Sequence, residues 1–369
     1  MEIPNGPESI TLEWLTEALR QNGAVTQASI LSFQTQPIGA DGEGITGQTA
    51  RLQITYDFQE PGVPQTLIAK FHSADLQTRT IANSLGMYER EFRFYQYGAR
   101  RTGLPTPHCY YGDFQASGMT VLLLEDLAPA TSQGSALTPA QVEMVIRQIA
   151  RFHAFWWEHP QLADILGPDY PEALQNLFAM LQQAAQEKWE LVVRLAGDNL
   201  PQPMRAIGQK IVNNWAAIGA RLRLQSPRTL IHGDFGGDNL FFPTLQDGNA
   251  FSVIDWQLSS RGRGPHDVGM LVGSLPTEQR QKSEMDLLKM YHQILEENAV
   301  RGYSFEQCLD DYRFTMLDSF ARLVYVIREP FPGEDLKRFQ ANDHKLREVE
   351  LPRRCAAILD LDADTLIMG

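Results

Sequence analysis

Apolar positions along the chain change period twice. Over residues 11–21, Leu12, Leu15 and Leu19 recur at helical spacing, Thr11 can cap the start and Gly23 can end it, which predicts an opening helix. The period then falls to two. Residues 32–38 and 49–58 read as strands, the second because Leu52, Ile54 and Tyr56 alternate with Gln53, Thr55 and Asp57. Residues 66–71 and 119–124 are apolar runs of strand length. Between them, 78–100 reads as a helix with Tyr88, Glu91 and Tyr95 along one face. After a polar stretch at 130–136, helical spacing dominates. Thr138-Pro139-x-Gln141 is a capping box that opens a helix reaching Trp157, and further helices are predicted over 172–195, 202–224 and 277–297. Ser304-x-x-Gln307 is a second capping box leading to Arg328, and 336–361 closes the helical part. Strands first and helices later predict an α+β protein, with a sheet-bearing part over 1–127 and a helical part over 128–369.

One stretch interrupts the helical half. Residues 230–240 read Leu-Ile-His-Gly-Asp-Phe-Gly-Gly-Asp-Asn-Leu, and Val253-Ile254-Asp255-Trp256 follows shortly after. Taken alone, Gly236-Gly237-Asp238-Asn239 passes as an ordinary hairpin turn. The spacing adds more. Asp234 is followed five residues later by the amide of Asn239, and Asp255 ends an apolar strand. Residues 240–242 and 251–254 read as two short strands around the loop 243–249, a hairpin that would bring Asn239 and Asp255 together as oxygen ligands for a hard cation. Phosphoryl transfer from ATP uses these parts: a carboxylate to accept the proton of the attacking hydroxyl, and an amide oxygen with a second carboxylate to hold magnesium.

Upstream residues supply the other half of that chemistry. Gly42, Gly44 and Gly47 form G-x-G-x-x-G between two predicted strands, not between a strand and a helix. That is the arrangement of a loop folding over phosphates, although a plain glycine-rich hairpin would look the same. Lys70 ends the run Thr-Leu-Ile-Ala-Lys, close to the V-A-I-K pattern of a phosphate-binding strand lysine, with a solvated edge lysine as the alternative. Glu91 is the candidate ion-pair partner of Lys70, with Glu89 as rival. Glu125 to Leu127, after the strand over 119–124, stand where a chain segment would present backbone groups to a nucleobase. His153, among Phe152, Phe155 and Trp156, reads as a core histidine. Asp267 reads as structural, capping the apolar run after it or tying down the loop at 232–239. Arg261 and Arg263 are candidates for phosphate or substrate contact, or solvated surface residues.

In this order, Gly42/Gly44/Gly47, Lys70, Glu91, Leu124-Glu125-Asp126, His232-Gly233-Asp234 with Asn239, and Ile254-Asp255-Trp256 resemble the aminoglycoside phosphotransferase and choline kinase superfamily. Asp255-Trp256-Gln257 and Phe152-His153-Ala154-Phe155-Trp156 look closest to its ecdysteroid-kinase-like branch. The resemblance runs from the glycine loop to Val272 and fades over 172–224 and after Val272. It implies a two-lobed protein-kinase-like fold: an antiparallel N-terminal sheet with helices, and a mostly helical C-terminal lobe. It implies ATP and Mg2+ as cofactors and a small-molecule hydroxyl as acceptor. Carried over by position, Asp234 is the catalytic base, Asn239 and Asp255 are catalytic magnesium ligands, and His232 supports the loop. Gly42, Gly44, Gly47, Lys70, Glu91, Glu125 and Leu127 bind the nucleotide. Gly233 replaces the arginine with which protein kinases answer an activation-loop phosphate, which points away from control by that route and from a polypeptide substrate. A nucleotide-binding regulatory protein without transferase activity is the competing reading.

The net charge of −13 over 369 residues speaks against a basic nucleic-acid surface. Cys109, Cys308 and Cys355 are scattered and odd in number, which predicts neither a disulfide framework nor a zinc site and fits a reducing cytoplasm. The N-terminal residues carry no basic region followed by an apolar run, and no apolar stretch approaches a membrane span. Trp156, Trp157, Trp189 and Trp215 in the expected acceptor region suggest an apolar pocket for a sterol-like alcohol, or simply core. The acidic balance suits an aminocyclitol or choline-like cation.

Overall fold

The structure, a computed structural model, describes residues 1–38, 46–58, 60–101, 103–132, 134, 136–167, 171–243, 250–331 and 335–367. The chain divides into two compact units. The first comprises Met1–Ser132, Asp164–Gly167 and Leu240–Ser259, and the second Gln133–Ala163, Pro168–Asn239 and Ser260–Gly369. The sequence reading ran its second part unbroken from 128 to 369, whereas here residues 240–259 group with the first unit. Strand pairing explains this: Leu240–Phe242 pairs with Thr131–Ser132 on one side and with Ser252–Val253 on the other. The expected hairpin is therefore present, with Leu240 opposite Val253.

The first unit is built on a five-stranded antiparallel sheet of β1 (Ile30–Pro37), β2 (Gly47–Tyr56), β3 (Thr66–His72), β4 (Cys109–Phe114) and β5 (Thr120–Glu125), in the order β1-β2-β3-β5-β4. Alternation sorts its two faces. Leu52 and Ile54 of β2, Leu67, Ala69 and Phe71 of β3, and Val121 and Leu123 of β5 join one core with Leu15, Ala18 and Leu19 of the opening helix α1 (Leu12–Gln21). The Thr11 hydroxyl caps α1 by accepting the Trp14 N–H at 3.1 Å. The face away from α1 is left with Thr49, Arg51, Ile68 and Lys70, all half-buried. The pattern did not reveal β4, because Cys-Tyr-Tyr-Gly-Asp-Phe has no period-two alternation of apolar and polar residues.

The helix expected over 78–100 is broken. α2 (Leu76–Ser84) stops at Leu85, and α3 (Met87–Arg93) starts after Gly86, whose φ of 67° is left-handed. Glycine takes that conformation at little cost. A π-helical turn, Phe94–Gly98, continues α3.

Among the described residues the second unit is built of helices, apart from Thr229–Ile231 paired with Ser260–Gly262. α4 (Pro139–Phe155) begins at the predicted capping box, and the short α5 (Leu162–Leu166) follows it in the chain. The helix expected over 202–224 is two helices. After α6 (Pro171–Ala196), α7 (Gln202–Asn213) ends at Asn214, which has left the helical region at φ −119°, and α8 (Trp215–Leu224) restarts there. Then come α9 (Pro265–Ser274), α10 (Thr277–Glu297), α11 (Phe305–Val326) with the second capping box, α12 (Leu336–His344) and α13 (Leu351–Asp360). α9 is buried on nearly all sides and packs on α11, whose Tyr312, Met316 and Phe320 are fully buried. Trp156, Trp189 and Trp215 are buried in this core. Trp189 packs where α7 carries Gly208, at which any Cβ would meet its ring at 2.2 Å. The three cysteines are free thiols, and among the described residues no helix is long and apolar enough to cross a membrane.

Gly47 starts β2 opposite His72, and a Cβ there would lie 2.2 Å from the Phe71 carbonyl oxygen. Backbone cannot yield cheaply, so Gly47→Ala is expected to cost about 1–3 kcal/mol as an overpacking change. Calorimetry should show a melting midpoint lowered by several degrees. An unchanged midpoint would contradict this packing.

Candidate active site

The expected site residues fall into two groups, one in each unit. In the first unit a cavity of about 490 Å³ opens on the sheet face away from α1. Ile38, Ile68, Leu124, Leu127, Phe241 and Ile254 make its walls apolar, and Lys70, Glu91, Asp255 and Gln257 make one end polar. A larger groove of about 570 Å³ lies along α4 and α10 but contains none of the expected residues.

Lys70 is central in the sheet, paired across β3 with Thr49 of β2 and Leu122 of β5. Its Nζ donates to Glu91 Oε1 and to Asp255 Oδ1, both at 2.8 Å. Burial alone would lower the Lys70 pKa, but Asp255 and Glu91 together hold it above its ordinary value. Burial pushes Glu91 upward, Lys70 pulls against this, and Asp255 adds to it. One ammonium thus compensates two carboxylates. Glu89, the rival partner, pairs instead with Arg93 one turn along α3 at 2.7 Å.

Asp255 is brought there by its own backbone and by its neighbours. It is left-handed, φ 66° and ψ 63°, an uncommon state for a non-glycine residue that turns the chain sharply after Ile254. The Trp256 ring then stacks on Phe94 with centroids 3.6 Å apart, and Leu258 packs against Met87 and Tyr88 of α3. The same helix therefore positions Glu91 and braces the residues after Asp255.

At the other end of the cavity, Glu125 is committed to the sheet. Its N–H donates to His108 O at 2.8 Å, and its carboxylate accepts the His108 N–H at 3.0 Å. The Asp126 carboxylate is gripped by Arg51 Nε and Nη2 at 2.7 and 3.1 Å. Burial works against the charge of Asp126, but Arg51 and the Ala128 N–H outweigh it and lower its pKa. The Leu127 carbonyl accepts the Ala130 N–H, while the Leu127 N–H has no hydrogen-bond partner among the described residues. The Arg51–Asp126 pair was not visible in sequence. Its one trace is a charged residue on the cavity-facing positions of β2.

Gly47 lines this cavity. Gly42 and Gly44 lie outside the described residues.

In the second unit the loop at 232–239 is held by one carboxylate. Asp267, on α9 and fully buried, accepts the His232 N–H at 2.6 Å with Oδ2 and the Gly233 N–H at 3.0 Å with Oδ1. Of the two roles open to Asp267, the structure therefore assigns that of loop anchor. Gly233 has φ 86°, so glycine is required between His232 and Asp234. His153 Nε2 lies 3.2 Å from Asp267 Oδ2, and His266 Nδ1 lies 3.4 Å from Oδ1. These partners assign the tautomers. His153 Nδ1 then accepts from Tyr291 Oη at 2.9 Å, and His266 Nε2 accepts from Arg223 at 3.0 Å. His153 is a core histidine, as expected, yet it also braces the loop. Burial would raise the Asp267 pKa, but the hydrogen bonds of His153 and His266 outweigh it and hold it far below the carboxylate range. The stability it contributes is therefore present above its unfolded pKa near 4 and lost only as pH falls through that depressed value.

Asn239 Nδ2 donates to the Asp234 carbonyl at 2.9 Å and to Asp234 Oδ2 at 3.2 Å. The amide nitrogen is thus committed, and Asn239 Oδ1 is the end left to receive a cation. Among the described residues no three or more His, Cys, Asp or Glu form a group able to hold a metal. Arg263 is neither solvated nor directed at a ligand. It is buried, pairs with Asp311 at 3.2 Å and donates to the Ser226 carbonyl at 2.6 Å.

Asp267→Ala leaves two backbone N–H groups and two imidazoles without their acceptor. The expected loss is about 3–5 kcal/mol, the cost of breaking a buried ionic network on one side. Urea unfolding should show it, with Asp267→Asn intermediate because its amide keeps one acceptor oxygen. Native-like stability of Asp267→Ala would contradict this anchoring.

Comparison with known proteins completes the picture. The family model described as "Phosphotransferase enzyme family" matches residues 55–305. No curated protein matches. Among solved structures, the GDP complex of wild-type aminoglycoside 2'-phosphotransferase-IIIa is similar at 14% identity and TM-score 0.51, covering 94% of this chain and 99% of that one. The GDP and kanamycin complex of APH(2")-IIIa is similar at 14% identity and TM-score 0.51, over 96% of this chain and 99% of that one. A putative aminoglycoside phosphotransferase from Ralstonia eutropha matches at 18% identity and TM-score 0.49, over 94% and 98%. The two matches above 0.5 place this chain in their fold, the α+β fold with an antiparallel N-terminal sheet and a helical C-terminal part. With the family model matching well over half of its length, the chain belongs to the phosphotransferase enzyme family.

Proposed function

We propose that this protein is a small-molecule kinase that transfers the γ-phosphate of ATP to a hydroxyl of a small organic acceptor, with Asp234 as catalytic base. The observation that carries the reading is Lys70 Nζ at 2.8 Å from both Glu91 and Asp255, at one end of a largely apolar-walled cavity of about 490 Å³. A purine fits such walls, and the Leu127 N–H, without a partner among the described residues, is a backbone donor for its edge. Lys70, oriented by Glu91, takes the α- and β-phosphates. When bound, magnesium would neutralise phosphate oxygens, with Asp255 and Asn239 as its protein ligands.

Asp234 does the proton chemistry. Asn239 Nδ2 occupies Asp234 Oδ2, which leaves Oδ1 to accept a hydrogen bond from the acceptor hydroxyl. As the acceptor oxygen bonds to the γ-phosphorus and the bond to the ADP oxygen breaks, the hydroxyl proton passes to Asp234. The Asp267 anchor fixes where that carboxylate stands. The acceptor is a small alcohol of unassigned class. Burial of Trp156, Trp189 and Trp215 in the core removes most of the aromatic argument for a sterol-like pocket.

Asp234→Ala is expected to lower turnover about 10²- to 10⁴-fold, the usual contribution of a positioned base, with nucleotide affinity within about twofold of native. Glu91→Gln should raise the KM for ATP, whereas Glu89→Gln should leave it unchanged because its exposed pair with Arg93 contributes only about 0.3–0.5 kcal/mol. Steady-state kinetics with titration calorimetry checks both. Native turnover in Asp234→Ala would remove the base, and equal effects of the two glutamate variants would remove the Lys70–Glu91 assignment.

A further inference from the structure

Gln257, two residues beyond Asp255, has no role in the scheme above. Its side chain nevertheless spans two parts of the first unit. Nε2 donates to Asp255 Oδ2 at 3.3 Å, and Oε1 accepts from the Thr46 hydroxyl at 2.7 Å. This orientation of the amide is the one chemistry allows, because the flipped amide would set its oxygen against the carboxylate. Thr46 is itself fixed. Its carbonyl accepts from Tyr88 Oη at 2.6 Å, and Tyr88 Oη accepts the Ser73 N–H at 3.1 Å. Immediately after Thr46, Gly47 is pinned against the Phe71 carbonyl at the start of β2. The Asp255 carboxylate is therefore held through Oδ1 by Lys70 and through Oδ2 by an amide whose far end is tied to the sheet.

These two tethers differ in what happens when nucleotide arrives. Phosphates compete for the Lys70 ammonium, so its bond to Asp255 is the one that exchanges. The Gln257 amide has no such competitor. We propose that Gln257 is a positioning residue, which keeps the Asp255 carboxylate in its metal-binding orientation while Lys70 turns to the phosphates, with Thr46 setting the orientation of the Gln257 amide. This rests on Asp255 being a magnesium ligand. Partners that orient a ligand are commonly worth a tenfold change or more in metal affinity.

The test is magnesium-dependent binding of a fluorescent ADP analogue to the full chain, with thermal melting to show that each variant is folded. Gln257→Leu should raise the magnesium concentration for half-maximal binding about tenfold. Its turnover should fall at low magnesium and recover at high magnesium. Thr46→Val should shift the magnesium midpoint in the same direction by less, and Thr46→Ser should restore it. Asp255→Ala should abolish the magnesium dependence. If Asp255→Ala abolishes it while Gln257→Leu and Thr46→Val both keep the native midpoint, the positioning role is overturned and the ligand assignment stands. If Asp255→Ala keeps native magnesium dependence, the ligand assignment falls and the inference falls with it.

Discussion

A single ammonium group compensating two carboxylates is the constraint on which the first unit's site depends. Lys70 can reach Glu91 and Asp255 together only if three separate pieces of local structure are right. The β3 alternation must aim Lys70 away from the face covered by α1, so Leu67, Ala69 and Phe71 have to be the core set. The helix expected over 78–100 must break at Gly86 so that α3 runs on its own course with Glu91 buried. Asp255 must take a left-handed backbone, a strained state held by the stack of Trp256 on Phe94. Removing any one would leave a carboxylate desolvated without its cation, which costs more than the ion pair itself contributes.

The second unit applies the same logic with the signs reversed. There one carboxylate, Asp267, collects donors from four places: two backbone N–H groups of the loop, His153 on α4 and its neighbour His266. The network extends outward through His266 and Arg223 to Asp318, which also binds Arg322 and the Trp215 indole. The network thus links α4, α8, α9 and α11 by polar contacts inside an apolar core. Such a network fixes geometry as well as adding stability, because a half-satisfied version would be worse than none. What it fixes is the backbone on which Asp234 and Asn239 stand.

Much of this was legible in the sequence where the signal is local. The capping boxes at Thr138 and Ser304, the α1 cap at Thr11 and the strand alternation at Leu52 and Ile54 each depend on residues within a few positions of each other. Lys70 and Glu91 could be named because their order matched a known chemistry. What stayed hidden depends on distant partners. Arg263 looked like a surface arginine because Asp311, its partner, is 48 residues away. The Arg51–Asp126 pair spans 75 residues and the Thr46–Gln257 bond 211. The break at Gly86 was missed for a different reason. One glycine at helical spacing is tolerated inside a helix, so only the fold decides whether it continues or turns.

The central claim is that these residues move phosphate to a small alcohol. It is tested most directly by following the label from [γ-³²P]ATP and Mg2+ into a panel of aminoglycosides, choline-type amino alcohols, sugars and hydrophobic alcohols, with Asp234→Ala protein in parallel. The account predicts label in a small organic phosphate ester from one acceptor group, absent with the variant. Label appearing only as inorganic phosphate or on polypeptide, or an ester formed equally well by Asp234→Ala protein, would contradict it.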